Sequence, residues 1–278
     1  GIDFRILENA LSYFSRKKPE IVFNCAAHQG GIWYDAQYPG QIYYDNLVMG
    51  ANTMEAARRA GVEKYINIVA GCSYPGEYEG GVMKEKLYWD GPLHPSVVTY
   101  GITKKVQTIQ GMVYKKQYGF RSVHIILTNM YGPGDHFEPD RSHALGALIR
   151  KFHEAKVESK PFIEIWGTGK PIREWLYVED AAEGIVLASE KYDEVDPFNM
   201  GTGIGHSITE LANIIKEIIG YKGEFRFDTS KPDGMPRKLL NVDRINSLGW
   251  KAKTDIKTGI EFTYKDFLQR YNSSEFSD

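Results

Sequence analysis

The chain predicts an α/β fold, a doubly wound parallel sheet with a smaller α+β domain interleaved with it, and three observations carry that prediction. Short runs of β-branched and aromatic residues alternate with longer segments of helical period, the rhythm of parallel strands joined by crossover helices. At 278 residues, with 42% hydrophobic and 13% aromatic side chains, the chain can bury one large core and one small one. From Phe162 onward the pattern changes to short strands and helices with capping signals, which predicts a second unit threaded through the first.

The elements follow in order. The first strand is expected at Ile21–Ala27, within the apolar stretch that begins at Glu20, followed by a helix over Gln41–Ala60 and a strand at Lys64–Ala70. A helix over Val97–Tyr118, a strand at Ser122–Leu127 and a helix over Ser142–Ala155 continue the alternation. Strands are then expected at Phe162–Trp166, Glu174–Val178 and Glu224–Asp228, while Asp180 with Glu183 and Ser207 with Glu210 each have capping-box spacing ahead of a helix. This places a nucleotide-binding domain over residues 1–140, to which the chain returns near 170–205, and a second domain mainly over 141–278. The tail Asn272–Asp278 is polar and expected to fray.

Composition excludes several classes. Lys and Arg total 34 against 36 Asp and Glu, a net charge of -2, so there is no broad basic field for nucleic acid. Two cysteines, Cys25 and Cys72, are too few for a disulfide scaffold or a Cys-rich zinc site, and a reducing cytoplasm is the expected setting. No apolar run approaches the roughly 18 residues of a membrane helix, and Gly1–Asn9 lacks the basic-then-apolar pattern of a secretion signal, so neither is expected. His28, His136 and His153 do not stand at ligand spacings with acids or cysteines, so no metal is expected.

Chemistry enters with Tyr100-Gly101-Ile102-Thr103-Lys104. On a helix, residues four apart share a face, so a phenol and an ammonium can be presented together. The cation is expected to stabilise the phenolate and draw a pKa near ~10 towards the working range, and the same lysine can hold a ribose hydroxyl. This is the apparatus of hydride transfer. A doubly wound nucleotide-binding domain normally opens with a strand, a glycine-rich turn and a helix whose amino end receives a diphosphate. That unit is not found here: Gly30-Gly31 and Gly201-Thr202-Gly203-Ile204-Gly205 follow the wrong elements, and Ile21–Ala27 reads as a later strand.

Six segments together resemble a known family: Cys25-Ala26-Ala27-His28-Gln29-Gly30-Gly31-Ile32, the YxxxK, Thr128-Asn129-Met130-Tyr131-Gly132-Pro133, Ser142-His143, Trp166-Gly167-Thr168-Gly169 and Lys231-Pro232-Asp233-Gly234-Met235-Pro236-Arg237-Lys238-Leu239-Leu240. The family is the GDP-fucose synthases, within the extended short-chain dehydrogenase/reductases. The similarity runs from about Asp3 to Tyr271, and the Lys231–Leu240 run is its most specific part. It implies a Rossmann-like sheet lacking its first βαβ unit, roughly the first forty residues of the family fold.

The resemblance further implies an NADP(H)-dependent cytoplasmic homodimer that epimerises a GDP-linked 4-keto-6-deoxy sugar at C3 and C5 and reduces C4, with a hexose or a heptose able to follow the same route. Carbons beside a ketone lose a proton because the enolate delocalises onto oxygen, so inversion needs a base on one face and an acid on the other. Cys72 and His143 occupy the family's positions for those roles, Tyr100 protonates the C4 oxygen, and Lys104 tunes the phenol. Cofactor contacts are implied at Asp3 for adenine, at Thr128, Asn129 and Met130 beside the nicotinamide, and at Ala70, Gly71, Lys104 and His143. Substrate contacts are implied at Lys151, Trp166, Arg173, Asp233 and Lys238, with Lys151 a point charge where other members carry arginine.

Ala70 departs from the pattern. It stands where extended members place a Ser or Thr that donates to the substrate ketone; Ser73 lies three positions on and, in a strand-like turn, would face away. Two other functions therefore stay open beside the epimerase-reductase: an epimerase without net reduction, and a sugar-nucleotide-binding protein without catalysis.

Overall fold

The computed structural model describes residues 1–78, 81–139, 141–231 and 233–273. Pro232 of the Lys231–Leu240 run and residues 274–278 of the polar tail lie outside the described residues. In chain order the elements are α1 (Leu7–Lys17), β1 (Ile21–Asn24), α2 (Ile32–Gln37), α3 (Pro39–Arg59), β2 (Lys64–Ala70), β3 (Val82–Met83), α4 (Val98–Tyr118), β4 (Ser122–Leu127), β5 (Asn129–Tyr131) and α5 (Ala144–Val157). They continue with β6 (Phe162–Trp166), β7 (Ile172–Tyr177), α6 (Val178–Lys191), β8 (Phe198–Met200), β9 (Gly205–Ser207), α7 (Ile208–Ile219), β10 (Glu224–Asp228), β11 (Arg237–Leu240), α8 (Asp243–Ser247) and α9 (Ile256–Asn272).

The main sheet runs β1-β2-β4-β8, every pair parallel, and the near-continuous burial of β2 and β4 is that of strands covered on both faces. Alternation along β2 divides the core. Tyr65 packs with Phe14, Met54, Ala57 and Phe120 under α1 and α3, whereas Ile66 packs with Ile125, Phe198, Met200 and Trp250 on the opposite face. A second sheet, β3-β11-β7-β5 with β9 antiparallel to β7, and a parallel pair β6-β10 make up the other half. Its core joins Phe152 of α5, Ile163 and Ile165 of β6, Leu211 and Ile215 of α7, and Ile260 and Phe267 of α9.

Between β4 and β5 the chain passes from the main sheet to the second within two residues. Leu127 ends β4 opposite Ala70 of β2, and two residues later Asn129 begins β5 against Trp175 of β7. Thr128 is the crossing, with its amide held by the Met200 carbonyl of β8 at 3.3 Å. The carboxyl ends of β2, β4 and β8 therefore open on the second sheet, the crevice in which open α/β sheets bind ligands.

Strands β2, β4, β6 and β10 have the expected bounds. The first strand is shorter than expected, ending at Asn24, and the second of the short strands, expected at Glu174–Val178, runs from Ile172 to Tyr177. The Ser207–Glu210 capping box is present in both directions, with Ser207 Oγ accepting from the Glu210 amide and Glu210 accepting from the Ser207 amide. That at Asp180 is not: α6 begins at Val178, and Asp180 accepts instead from the amides of Lys253 and Thr254. Buried inside the first turn, its carboxylate ties the approach to α9 rather than capping its own helix. Helices α1, α2, α8 and α9 were not expected from the sequence.

Candidate active site

The turn after β2 is built by its neighbours. Gly71–Ser73 forms one tight helical turn rather than a strand-like one, and Ser73 Oγ donates to the Gly101 carbonyl of α4 at 3.0 Å. Ser73 is therefore spent on structure and is no substitute for the hydroxyl missing at Ala70. Gly101 has to be glycine, because a Cβ there would lie 2.7 Å from the Cys72 carbonyl and 2.5 Å from Leu93. On the other side Tyr74 donates to Asn199 at 2.8 Å, whose amide donates to the Met83 carbonyl at 2.9 Å. Cys72 is thus held between α4 and the second sheet.

Around it stand the first group of expected residues. Tyr100 and Lys104 lie on the inner face of α4, both buried, with the Lys104 ammonium 5.5 Å from the Tyr100 ring centroid. Lys238 Nζ comes to 3.7 Å from where a Gly71 Cβ would sit. Burial pushes the Cys72 thiol up, opposed by Lys238 and Lys104. Burial likewise pushes the Lys104 ammonium down to about 8. The Tyr100 phenol moves opposite to the expectation: burial, with Cys72 and Asp35 adding to it, raises it. The ammonium lies against the ring rather than leading the stabilisation of the phenolate, so the phenol is held as a proton donor.

Two observations mark this as a ligand site. Neither Lys104 nor Lys238 makes a hydrogen bond or ion pair among the described residues; Lys104 is buried and Lys238 half-buried, and a cation withdrawn from water without a partner is costly unless something else binds it. His143, exposed at the start of α5 and making no side-chain cap, is linked to the same group through Asp35. That carboxyl is 4% exposed on α2 and lies within electrostatic reach of His143, Cys72 and Tyr100.

A second group lies along β7 and β11, where Arg173 and Lys238 are register partners on parallel strands. Arg173 donates to the Asp233 and Ile172 carbonyls, while the Asp233 carboxylate is taken by the amide and hydroxyl of Thr168 at 2.6 and 2.7 Å. Among the described residues these two adjacent cations have no carboxylate in hydrogen-bonded contact, an arrangement suited to phosphate oxygens. Trp166 is 65% exposed, so it is not core, and Lys231 Nζ lies 5.4 Å from its ring centroid. Lys151 is not freely solvated, since it donates to the Glu164 carbonyl at 2.8 Å, two residues from Trp166.

The expected nicotinamide stretch lies between the groups. Thr128 and Asn129 both donate to the Glu174 carbonyl, at 3.2 and 2.9 Å, and Met130 is exposed. Asp3 stands apart from the cluster. Arg5 holds its carboxyl down to about 2 and bridges it to Asp45, which accepts from His28 at 2.8 Å. Among the described residues no group of His, Cys, Asp and Glu could hold a metal, and no helix is long and apolar enough to cross a membrane.

Sequence reasoning missed Asp35 and Glu174. Glu174 is fully buried, and its carboxylate accepts from the Gly203 and Leu240 amides at 2.9 and 2.8 Å, fixing β11 and so Lys238. An acid set directly before the apolar Trp175-Leu176-Tyr177 run was its available signal; Asp35 had none.

A model of the NAD dependent epimerase/dehydratase family matches residues 2–201. A GDP-L-fucose synthase of Sinorhizobium fredii is 39% identical over 96% of this chain and 85% of its own length. Among solved structures, a GDP-6-OMe-4-keto-L-xylo-heptose reductase from C. jejuni superimposes with a TM-score of 0.91 at 28% identity, covering 97% of this chain and 88% of that one. A GDP-L-fucose synthetase from Naegleria fowleri bound to NADP gives 0.90 at 27% identity, covering 98% and 83%. With sheet, crevice and sequence in agreement, the chain belongs to the NAD dependent epimerase/dehydratase family, on the branch of its GDP-L-fucose synthase relatives.

Proposed function

We propose that this chain epimerises a GDP-linked 4-keto-6-deoxy-hexose at C3 and C5 and, with NADPH, reduces it at C4, giving GDP-L-fucose or a close relative. The observation that carries the reading is the gathering of Cys72, Tyr100 and two lysines that make no ion pair among the described residues at the carboxyl end of β2. Cys72 takes the proton beside the ketone, and Lys238 and Lys104 favour its thiolate against the cost of burial. His143, entering from the α5 side, returns a proton to the other face. Tyr100, kept protonated by its surroundings, donates to the C4 oxygen.

The residues suit a nicotinamide cofactor, since the buried and unpaired Lys104 ammonium fits a ribose hydroxyl. When bound, NADPH supplies a hydride to C4. Asp3, Ala70, Gly71, Lys104, Thr128, Asn129, Met130 and His143 would hold it, while Lys151, Trp166, Arg173, Asp233 and Lys238 would hold the GDP end. The first domain then comprises residues 1–140 with the return of β8, and the second mainly 141–278. Exposed Tyr43 and Tyr44 of α3 and Ile109 and Val113 of α4 give a homodimer an apolar face, and two free thiols suit the cytoplasm.

Ala70 favours a second reading, an epimerase without net reduction, because it offers no donor to the C4 oxygen as charge develops there. NADPH fluorescence during incubation with GDP-4-keto-6-deoxy-mannose decides between them. Oxidation of one NADPH per sugar is expected; GDP-sugar binding and isomerisation with no oxidation would replace the first reading by the second.

A further inference from the structure

A ketone oxygen that gains charge during reaction needs a fixed hydrogen-bond donor, and loss of one donor costs about 10²- to 10³-fold in rate. Ala70 has no hydroxyl to give, and Ser73 is committed to the Gly101 carbonyl at 3.0 Å. What meets the C4 oxygen in their place is a question that rests on the C4 reading above, and the second sheet answers it.

Lys238 is held by its strand on both sides. The Ile172 amide donates to the Pro236 carbonyl at 2.9 Å, and the Leu240 amide donates to the buried Glu174 carboxylate at 2.8 Å. Between these two bonds Lys238 is the register partner of Arg173. Its side chain leaves β11 for the main sheet, so that Cε and Nζ lie 3.4 and 3.7 Å from where a Gly71 Cβ would sit, a point 3.2 Å from the Leu127 carbonyl. The ammonium therefore stands over the carboxyl ends of β2 and β4, against the residue between Ala70 and Cys72. It makes no hydrogen bond or ion pair there among the described residues. Lys104 has a different place, on α4 with its ammonium 5.5 Å from the Tyr100 ring centroid.

We propose that Lys238 is a catalytic residue whose ammonium donates a hydrogen bond to the C4 oxygen, in place of the hydroxyl absent at Ala70. An ammonium has three N–H donors, so one can meet a diphosphate oxygen beside Arg173 while another is directed at the sugar. As hydride from NADPH forms the new C–H bond at C4, the carbonyl π pair moves onto oxygen. Tyr100 gives that oxygen its proton, breaking one O–H bond and forming another, while Lys238 keeps all its protons and holds the hydrogen bond throughout. Burial disfavours the charge on Lys238, with Arg173 adding to this and Cys72 opposing it, and an oxygen that gains negative charge offsets the burial.

A double-mutant cycle between positions 70 and 238 tests this. Each protein is incubated with GDP-4-keto-6-deoxy-mannose until isomerisation is complete and then mixed rapidly with NADPH, so that the fluorescence burst reports reduction alone. Lys238→Met should slow the burst about 10³-fold. Adding Ala70→Ser to it should restore about 100-fold, against about tenfold where Lys238 is present, because the hydroxyl then supplies the donor that the lysine did. Calorimetry with GDP should show no such rescue: whatever affinity Lys238→Met loses, Ala70→Ser leaves lost. Equal factors for Ala70→Ser in both backgrounds, or no loss on removing the lysine, overturn the assignment. Should Lys238→Met fail to fold, difference infrared spectra of the keto sugar bound to Tyr100→Phe without NADPH decide, since Lys238 is then the remaining donor. A C4 carbonyl stretch below its frequency in water is expected, and a stretch at or above that frequency overturns the donor. If wild type oxidises no NADPH, the C4-reduction reading falls, and the same infrared measurement still decides the donor; if wild type oxidises NADPH and the cycle is additive, only the donor falls.

Discussion

At Tyr100 the sequence and the structure agree on the residue and differ on its state. The YxxxK spacing was legible because both side chains sit on one helix, where four residues make one face. The direction of the phenol's shift was not, because it depends on burial by other elements. A phenol held protonated is an acid, so Tyr100→Phe should lower NADPH oxidation by about 100-fold or more while leaving GDP affinity unchanged in calorimetry; full turnover would remove it as the donor. Cys72→Ser should suppress deuterium exchange more than cofactor binding, since a hydroxyl is a far weaker base than a thiolate. At Ala70 the missing donor is restorable. Ala70→Ser should raise the rate of C4 reduction about tenfold without changing exchange at C3 or C5, a part of what one oxyanion donor supplies. Asp35 and Glu174 were hidden for the reason that exposed the pair: their partners come from distant parts of the chain.

At the scale of elements, two identical spacings met different fates. Ser207 and Glu210 close a capping box because Ser207 ends β9 with its backbone extended and stands directly before α7. Asp180 cannot, since α6 starts two residues earlier and the loop before α9 claims its carboxylate. Urea denaturation should show Ser207→Ala losing about 1 kcal/mol, the ordinary worth of a cap. Asp180→Ala should lose about 1–3 kcal/mol through the unpaired Lys253 and Thr254 amides; a loss no larger than a surface substitution gives would refute that role. Strands were readable where apolar runs were long, as in β2 and β4, whereas α1 and α9 were hidden because their helical pattern carries many polar positions. Within α4, Gly101→Ala would push Cys72 off its turn, so exchange should fall more than helicity.

Across the whole molecule, a buried polar series crosses the main sheet. Asn24 donates to Asn67 at 3.4 Å, Asn67 donates to His124 Nδ1 at 3.2 Å, and the proton this leaves on Nε2 is shared with Ser122 at 3.1 Å. Burial pushes His124 from 6.5 down to about 3. Its folded-state value is lowered, so above pH 6.5 it is neutral in both states and contributes nothing to pH dependence. Below that, the unfolded chain gains a proton that the folded chain refuses, and stability should fall with pH by about 1.4 kcal/mol per unit until roughly pH 3. His124→Gln should flatten that limb in denaturation curves collected between pH 6 and pH 4; an unchanged slope would mean the imidazole titrates normally.

The central claim is that one crevice inverts two carbons and reduces a third, and the isotopes of the product report on it directly. GDP-4-keto-6-deoxy-mannose converted by this protein with unlabelled NADPH in deuterated water should give a product carrying deuterium at C3 and C5 and protium at C4, with one NADPH oxidised for each molecule formed. A reduced product with no carbon-bound deuterium would contradict the roles given to Cys72 and His143.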